Sequence, residues 1–106
     1  MSSPVHTVQK ICQFYESGYQ DRFLDAALDK IVARQIERDK ADLARVEAVL
    51  AQFEHDHGME TDRFHRMYQA GELPDAAEMV EWNAFWKMRQ RLAERLSILR
   101  GDAVSD

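Results

Sequence analysis

The sequence predicts an all-α protein of about four helices, one of which is long enough to pair with another chain. Four Gly and two Pro occur in 106 residues, whereas good helix formers such as Ala, Leu, Glu, Arg and Gln are abundant. Apolar residues recur at intervals of three and four, which is typical of helices rather than strands. We therefore expect helices over residues 5–16, 20–57, 61–70 and 75–100.

Composition and charge narrow the class of protein. A chain that is 45% hydrophobic and 31% charged is typical of a folded protein, and its length predicts one domain over 1–101 with a flexible tail over 102–106. Cys12 has no second cysteine to pair with, and no apolar run approaches a membrane span, so we expect a cytoplasmic protein. The net charge of −5 favours a basic partner protein over nucleic acid.

The first helix has a clear start. Ser3 is a candidate N-cap, and Pro4 suits the first helical position because its missing N–H has no intrahelical partner there. Cys12 shares the apolar face of this helix, and we expect it to be buried. That face consists of Val5, Val8, Ile11, Cys12 and Tyr15.

The long helix carries no Gly or Pro between residues 20 and 57. Its predicted length is about 55 Å at 1.5 Å per residue, whereas a compact domain of this size has a radius of gyration of about 13 Å. The helix must therefore kink, protrude or lie along a helix of another chain, and we expect the last of these. The alternative is a break near 33–42 that gives a hairpin within one chain, but that segment lacks the usual turn residues.

A 4–3 spacing of apolar residues along this helix predicts a coiled-coil-like dimer interface. Asp39 occupies the one polar position of the pattern, where we expect pairing to be weakest. The predicted dimer-interface residues are Val32, Ile36, Leu43, Val46, Leu50 and Phe53.

The two shorter helices are bounded by turn and cap residues. Gly58 ends the long helix, and Thr61 is the expected cap of the helix over 61–70. Pro74 begins the last helix, and Asp75 with Glu78 has the spacing of a capping box.

The last helix is apolar around much of its circumference, which requires burial on two sides. One side could be covered by another chain, because Trp and Arg are favoured at the centres of protein interfaces. Burial entirely within the chain is the alternative. The predicted partner-binding residues are Trp82, Phe85, Trp86 and Arg89.

We find no residue pattern for catalysis and none for a cofactor. His55, His57 and His65 hint at a metal, but residues two apart on a helix point in different directions, so we predict no metal site. A DNA-binding regulator that uses Lys10, Arg22 or the basic end of the last helix is the alternative class. A ribbon-helix-helix dimer with 6–15 as its ribbon fits less well, because those residues alternate poorly.

Several short motifs point to a family. They are Phe53-Glu54-His55-Asp56-His57-Gly58-Met59, then Phe64, then Ala70-Gly71-Glu72-Leu73-Pro74-Asp75, then Glu81-Trp82. Over about residues 43–100 the chain resembles small prokaryotic helical proteins encoded in pairs of toxin–antitoxin type. The resemblance implies an antitoxin-like binding protein, with a basic toxin as its partner, rather than an enzyme.

Overall fold

The computed structural model describes residues 3–102, and these form four α-helices without a strand. The all-α prediction is confirmed, and the largest shift of a helix end is two residues, at the starts of the second and fourth helices. The predicted tail begins at Asp102, and its residues 103–106 lie outside the described part. The helices are α1 (Pro4–Glu16), α2 (Arg22–His57), α3 (Thr61–Gln69) and α4 (Ala77–Leu99).

The first two helices begin at side-chain caps. Ser3 Oγ accepts a hydrogen bond from the His6 N–H at 3.3 Å, and Pro4 stands in the first turn of α1, as predicted. The side chain of Asp21 accepts from the Leu24 N–H at 2.8 Å and so closes the first turn of α2. That helix runs without interruption to His57, so the alternative break near 33–42 does not occur.

The predicted caps of α3 and α4 are wrong. The N-cap of α3 is Glu60, and the free N–H of Thr61 is satisfied instead by Glu54 Oε2 at 2.8 Å. The N-cap of α4 is Ala76, which makes no side-chain cap bond. The capping box fails because a turn intervenes, in which the Ala76 N–H donates to the Pro74 carbonyl, and α4 starts after it.

The residue contacts divide the chain into two compact units, Met1–Val32 and Ala33–Asp106, here called unit 1 and unit 2. Each is described by itself. The expectation of a single domain over 1–101 stays a prediction.

In unit 1, α1 precedes the first turns of α2, and none of the residues from 3 to 32 is buried. The best covered ones are half-buried: Ile11, Phe14, Tyr15, Leu24, Ala27 and Leu28. Cys12 is exposed. Its predicted burial is therefore wrong, because the covered side of α1 is the one that carries the half-buried Ile11, Phe14 and Tyr15, and Cys12 is not among them.

Unit 2 contains a hydrophobic core of buried side chains. The segment of α2 within it lies antiparallel to α4, since Asp39 reaches Arg95 at one end and His57 reaches Glu78 at the other. The buried cluster joins three helices and consists of Val46, Leu50 and Phe53 from α2, Phe64 from α3 and Trp82 from α4.

Among the described residues of unit 2, Asp39 is the one buried carboxylate, 1% exposed. Arg95 donates to both of its oxygens, from Nε at 3.0 Å and from Nη2 at 3.2 Å, and Gln35 Nε2 donates at 2.8 Å. Pairing with a guanidinium offsets the cost of burying the charge. Asp39, where pairing of the long helix was predicted to be weakest, therefore forms an ion pair that joins α2 to α4.

Candidate protein-interaction surfaces

The most exposed apolar side chains belong largely to unit 1. Phe23 is 84% exposed, and Val32, the predicted dimer contact nearest the start of α2, is 40% exposed. We call the set of six the unit 1 apolar surface. It comprises Val5, Val8, Tyr19, Phe23, Ile31 and Val32.

An acidic stripe accompanies this surface. Asp21, Asp25 and Asp29 follow one another at intervals of four residues and therefore share one side of α2. The Tyr15 hydroxyl donates to Asp25. This hydrogen bond, together with slight desolvation and the negative charge of all three carboxylates, raises the pKa of Tyr15 to about 12. The local potential is negative.

Trp82 is a core residue and not a surface residue. It is 1% exposed, and its ring stacks on Phe64 at a centroid distance of 3.9 Å and on Phe53 at 5.4 Å. Its indole N–H donates to the Thr61 hydroxyl at 3.1 Å. Of the four predicted partner-binding side chains, Trp82 has no surface left to offer, because its own chain already covers it.

The other three predicted partner-binding residues keep part of their surface. Trp86 is half-buried and stacks on His65 with ring centroids 3.4 Å apart. Arg89 is bound to Asp62 at 2.6 Å, which links α4 to α3. Phe85 is half-buried as well, and it lines an open apolar groove.

This groove runs between α2 and α4 of unit 2 and encloses about 420 Å³. We call it the α2–α4 groove. Met88, 43% exposed, stands at its edge. The apolar lining consists of Val46 and Val49 from α2 and of Phe85, Met88 and Leu92 from α4.

The two ends of the groove carry opposite charges. A second depression of about 280 Å³ continues it past Val49, and three carboxylates, those of Asp56, Glu78 and Glu81, line that end. The other end is lined by Arg45, Arg91 and Asp42, and Asp42 is ion-paired with Arg45. That end therefore has a net positive charge.

The predicted dimer-interface residues do not form one surface. Val46, Leu50 and Phe53 are buried by unit 2 itself, at 8%, 2% and 9% exposure. Ile36 and Leu43 are half-buried. Their spacing indicated a buried face correctly, but three of the six are covered by α3 and α4.

Sequence reasoning missed Val49 as a surface residue. It lies outside the 4–3 pattern, three residues after Val46. One sequence feature could have identified it. The last helix carries a matching set of apolar residues at intervals of three and four, and this set faces the same groove: Phe85, Met88 and Leu92.

The three histidines weighed as metal ligands have other contacts. His55 is exposed, His57 stacks on Trp82 with centroids 5.2 Å apart, and His65 lies 3.2 Å from the side-chain oxygen of Asn83. His57 Nε2 is 3.3 Å from Glu78 Oε1 without the alignment of a hydrogen bond. Between residues 3 and 102, no three His, Cys, Asp or Glu side chains are grouped so that they could hold a metal ion.

The basic end of α4 is partly neutralised. Arg95 is committed to Asp39 and Arg89 to Asp62. The cations left for a nucleic acid are therefore fewer than the sequence suggested.

Comparison with known proteins finds no similar sequence or structure. No family model matches this chain, and no curated protein or solved structure is significantly similar to it. The antitoxin-like resemblance stays a prediction. Across the described residues, no helix has both the length and the apolarity that crossing a membrane requires.

Proposed function

We propose that this chain is a cytoplasmic, non-enzymatic helical interaction protein that self-associates and binds a partner protein through unit 1. The exposure of unit 1 carries the proposal. None of residues 3–32 is buried, while six large apolar side chains there are 40–84% exposed. We take the concentration of so many exposed apolar side chains in one short unit as support for a protein-binding role.

The size of unit 1 supports the same conclusion. Units of fewer than about 40 residues usually need a disulfide, a metal or another chain to be stable, and isolated helices as short as α1 are marginal in water. Cys12 has no second cysteine in the chain to pair with. A partner protein is therefore the natural source of stability for this unit.

The acidic stripe of unit 1 favours a basic partner. The stripe formed by Asp21, Asp25 and Asp29 borders the exposed Phe23 in sequence, so an apolar patch rimmed by basic residues would complement both features. We propose a basic toxin as this partner. Combined with the motifs between Phe53 and Trp82, this favours the role of an antitoxin or regulator of a partner encoded beside it.

The test is calorimetric titration of the full chain with the protein encoded by the neighbouring gene. Phe23→Glu should weaken binding about tenfold or more, because it places a charge in the centre of an apolar contact. Val80→Glu is the matched control, since Val80 is a similarly apolar residue, 51% exposed, in unit 2. Its binding should equal that of the wild type.

Two outcomes would contradict the proposal. If the neighbouring protein does not bind the wild type, the antitoxin role is wrong. If Phe23→Glu binds as tightly as the wild type, unit 1 is not the docking surface.

A DNA-binding regulator is the competing class. It has less support, because two of the arginines of α4 are held in ion pairs. Salt-dependent binding to the DNA upstream of its own gene, in the absence of binding to the neighbouring protein, would replace the proposal.

A further inference from the structure

The α2–α4 groove combines an apolar floor with charges of opposite sign at its ends. Val49 and Phe85 lie near its middle, and the carboxylates of Glu78 and Glu81 lie towards one end. Arg91 lies about 15–20 Å further along α4, since each helical residue advances 1.5 Å. A surface with this distribution is complementary to itself when it is turned end over end.

We infer that a second copy of this chain covers the α2–α4 groove, related to the first by a twofold axis that runs across the helices. In this arrangement α2 lies antiparallel to α2 of the partner subunit, and α4 lies antiparallel to α4 of the partner subunit. The inference rests on the self-association proposed above. It adds which surface forms the dimer interface and which symmetry relates the two copies. It leaves unit 1 free for a different protein.

The charges select this axis over the other possible one. An axis across the helices brings the end with Glu78 and Glu81 against the partner's end with net positive charge. An axis parallel to the helices would instead place three carboxylates of one copy against the same three of the other. Like charges facing each other across an interface are unfavourable, so the second arrangement is disfavoured.

The resulting assembly satisfies the packing rules for helices. Two antiparallel pairs closing over a shared apolar layer form a four-helix bundle, and a twofold interface uses the same surface on both copies. Val49, Phe85 and Met88 would form the shared layer near the axis. This explains why α4 is apolar around so much of its circumference, with Trp82 facing the core and Phe85 facing the groove.

The first experiment locates the interface by analytical ultracentrifugation of the full chain. The wild type should be a dimer at micromolar concentration. Met88→Glu should raise the dissociation constant about tenfold or more, because a charge at a buried apolar contact is costly. Val80→Glu, on the same helix but outside the groove, should leave the dimer unchanged.

The second experiment determines the symmetry with two exposed charges, which can be reversed without disturbing the core. In the inferred dimer, Glu81→Arg alone and Arg91→Glu alone should each dimerise about tenfold more weakly than the wild type, because both create like-charged ends. An equimolar mixture of the two variants should restore dimers, since each reversed end then meets its complement. Far-ultraviolet circular dichroism checks that every variant keeps its helices.

Each remaining outcome contradicts the inference. Single variants that dimerise as well as the wild type, with a mixture that dimerises better, would indicate the axis parallel to the helices. A dimer insensitive to Met88→Glu would place the interface elsewhere. A wild-type monomer would refute both the inference and the proposed self-association, while leaving the calorimetric test of unit 1 intact. Loss of binding to the neighbouring protein in Met88→Glu would assign the groove to that protein.

Discussion

The two units differ in what holds their helices together, although the single helix α2 belongs to both. The described residues of unit 2 bury six apolar and three polar side chains, whereas residues 3–32 of unit 1 bury none. Helical order in unit 2 therefore comes from tertiary packing. In unit 1 it comes from intrinsic propensity and from caps such as Ser3 and Asp21, which stabilise helices weakly. Regular secondary structure and stability are separate properties in this chain.

The largest effect expected from this difference is a contrast between two phenylalanines of α2. Phe53→Ala should lower the free energy of unfolding by about 3–5 kcal/mol, because Phe53 is 9% exposed and belongs to the core cluster. Phe23→Ala should change it by about 0.5 kcal/mol or less, because Phe23 is 84% exposed. Urea unfolding followed by circular dichroism measures both.

Equal losses for the two variants would contradict the comparison. Phe53→Leu is the control for loss of buried volume. We expect it to lower the free energy of unfolding by about 1 kcal/mol, because most of the buried volume is kept.

A smaller effect is expected at the ion pair that ties α2 to α4. Arg95→Leu should lower the free energy of unfolding by about 2 kcal/mol, since it leaves the Asp39 carboxylate buried without its cation. The loss stays below that of a fully buried pair because the Arg95 side chain is 51% exposed. Thermal denaturation at neutral pH measures it.

The double variant Asp39→Leu with Arg95→Leu tests the cause. It should recover to within about 1 kcal/mol of the wild type, because no charge is then stranded. Failure to recover would show that Arg95 stabilises by packing of its stem rather than by its charge.

The smallest effect concerns Tyr15 in unit 1, whose pKa is raised to about 12. Because the folded pKa exceeds the value of about 10 for an unfolded tyrosine, the contribution of this group to stability is complete below pH 10 and is lost as the pH rises towards 12. Asp25→Asn should move the pKa of Tyr15 back towards 10. Ultraviolet titration of phenolate, with Tyr15→Phe subtracted, gives the value, and an unchanged pKa would mean that Asp25 is not the cause.

The sequence predicts where the helices lie better than what their faces touch. All four helices follow from Gly, Pro and a period near 3.6 residues. The spacing of Val46, Leu50 and Phe53 also identified a buried face, but a heptad pattern is the same whether another chain or a later helix of the same chain covers it. Trp82 was predicted to bind a partner because the last helix is apolar around much of its circumference, and its own chain covers it instead.

Contacts between residues far apart in sequence account for the other errors. Asp39 was expected to be a weak point because it is the one polar residue of the apolar pattern, and the Arg95 that neutralises it is 56 residues away. Cys12 is the opposite case, because it shares an apolar helical face with Ile11 and Tyr15 and yet stays exposed while they are half-buried. The open groove beside Phe85 required knowledge of both α2 and α4.

The positions of the tryptophans allow the unfolding of the two units to be followed by different spectroscopic signals. Its two tryptophans, Trp82 and Trp86, both lie in unit 2, and both have aromatic neighbours whose stacking would be lost on unfolding. Tryptophan fluorescence therefore monitors unit 2 and is nearly insensitive to unit 1. The ellipticity at about 222 nm, to which every helix contributes, sums both units. If unit 1 melts first, the ellipticity will decline while the emission maximum stays in place, and a bound partner should make the two curves coincide.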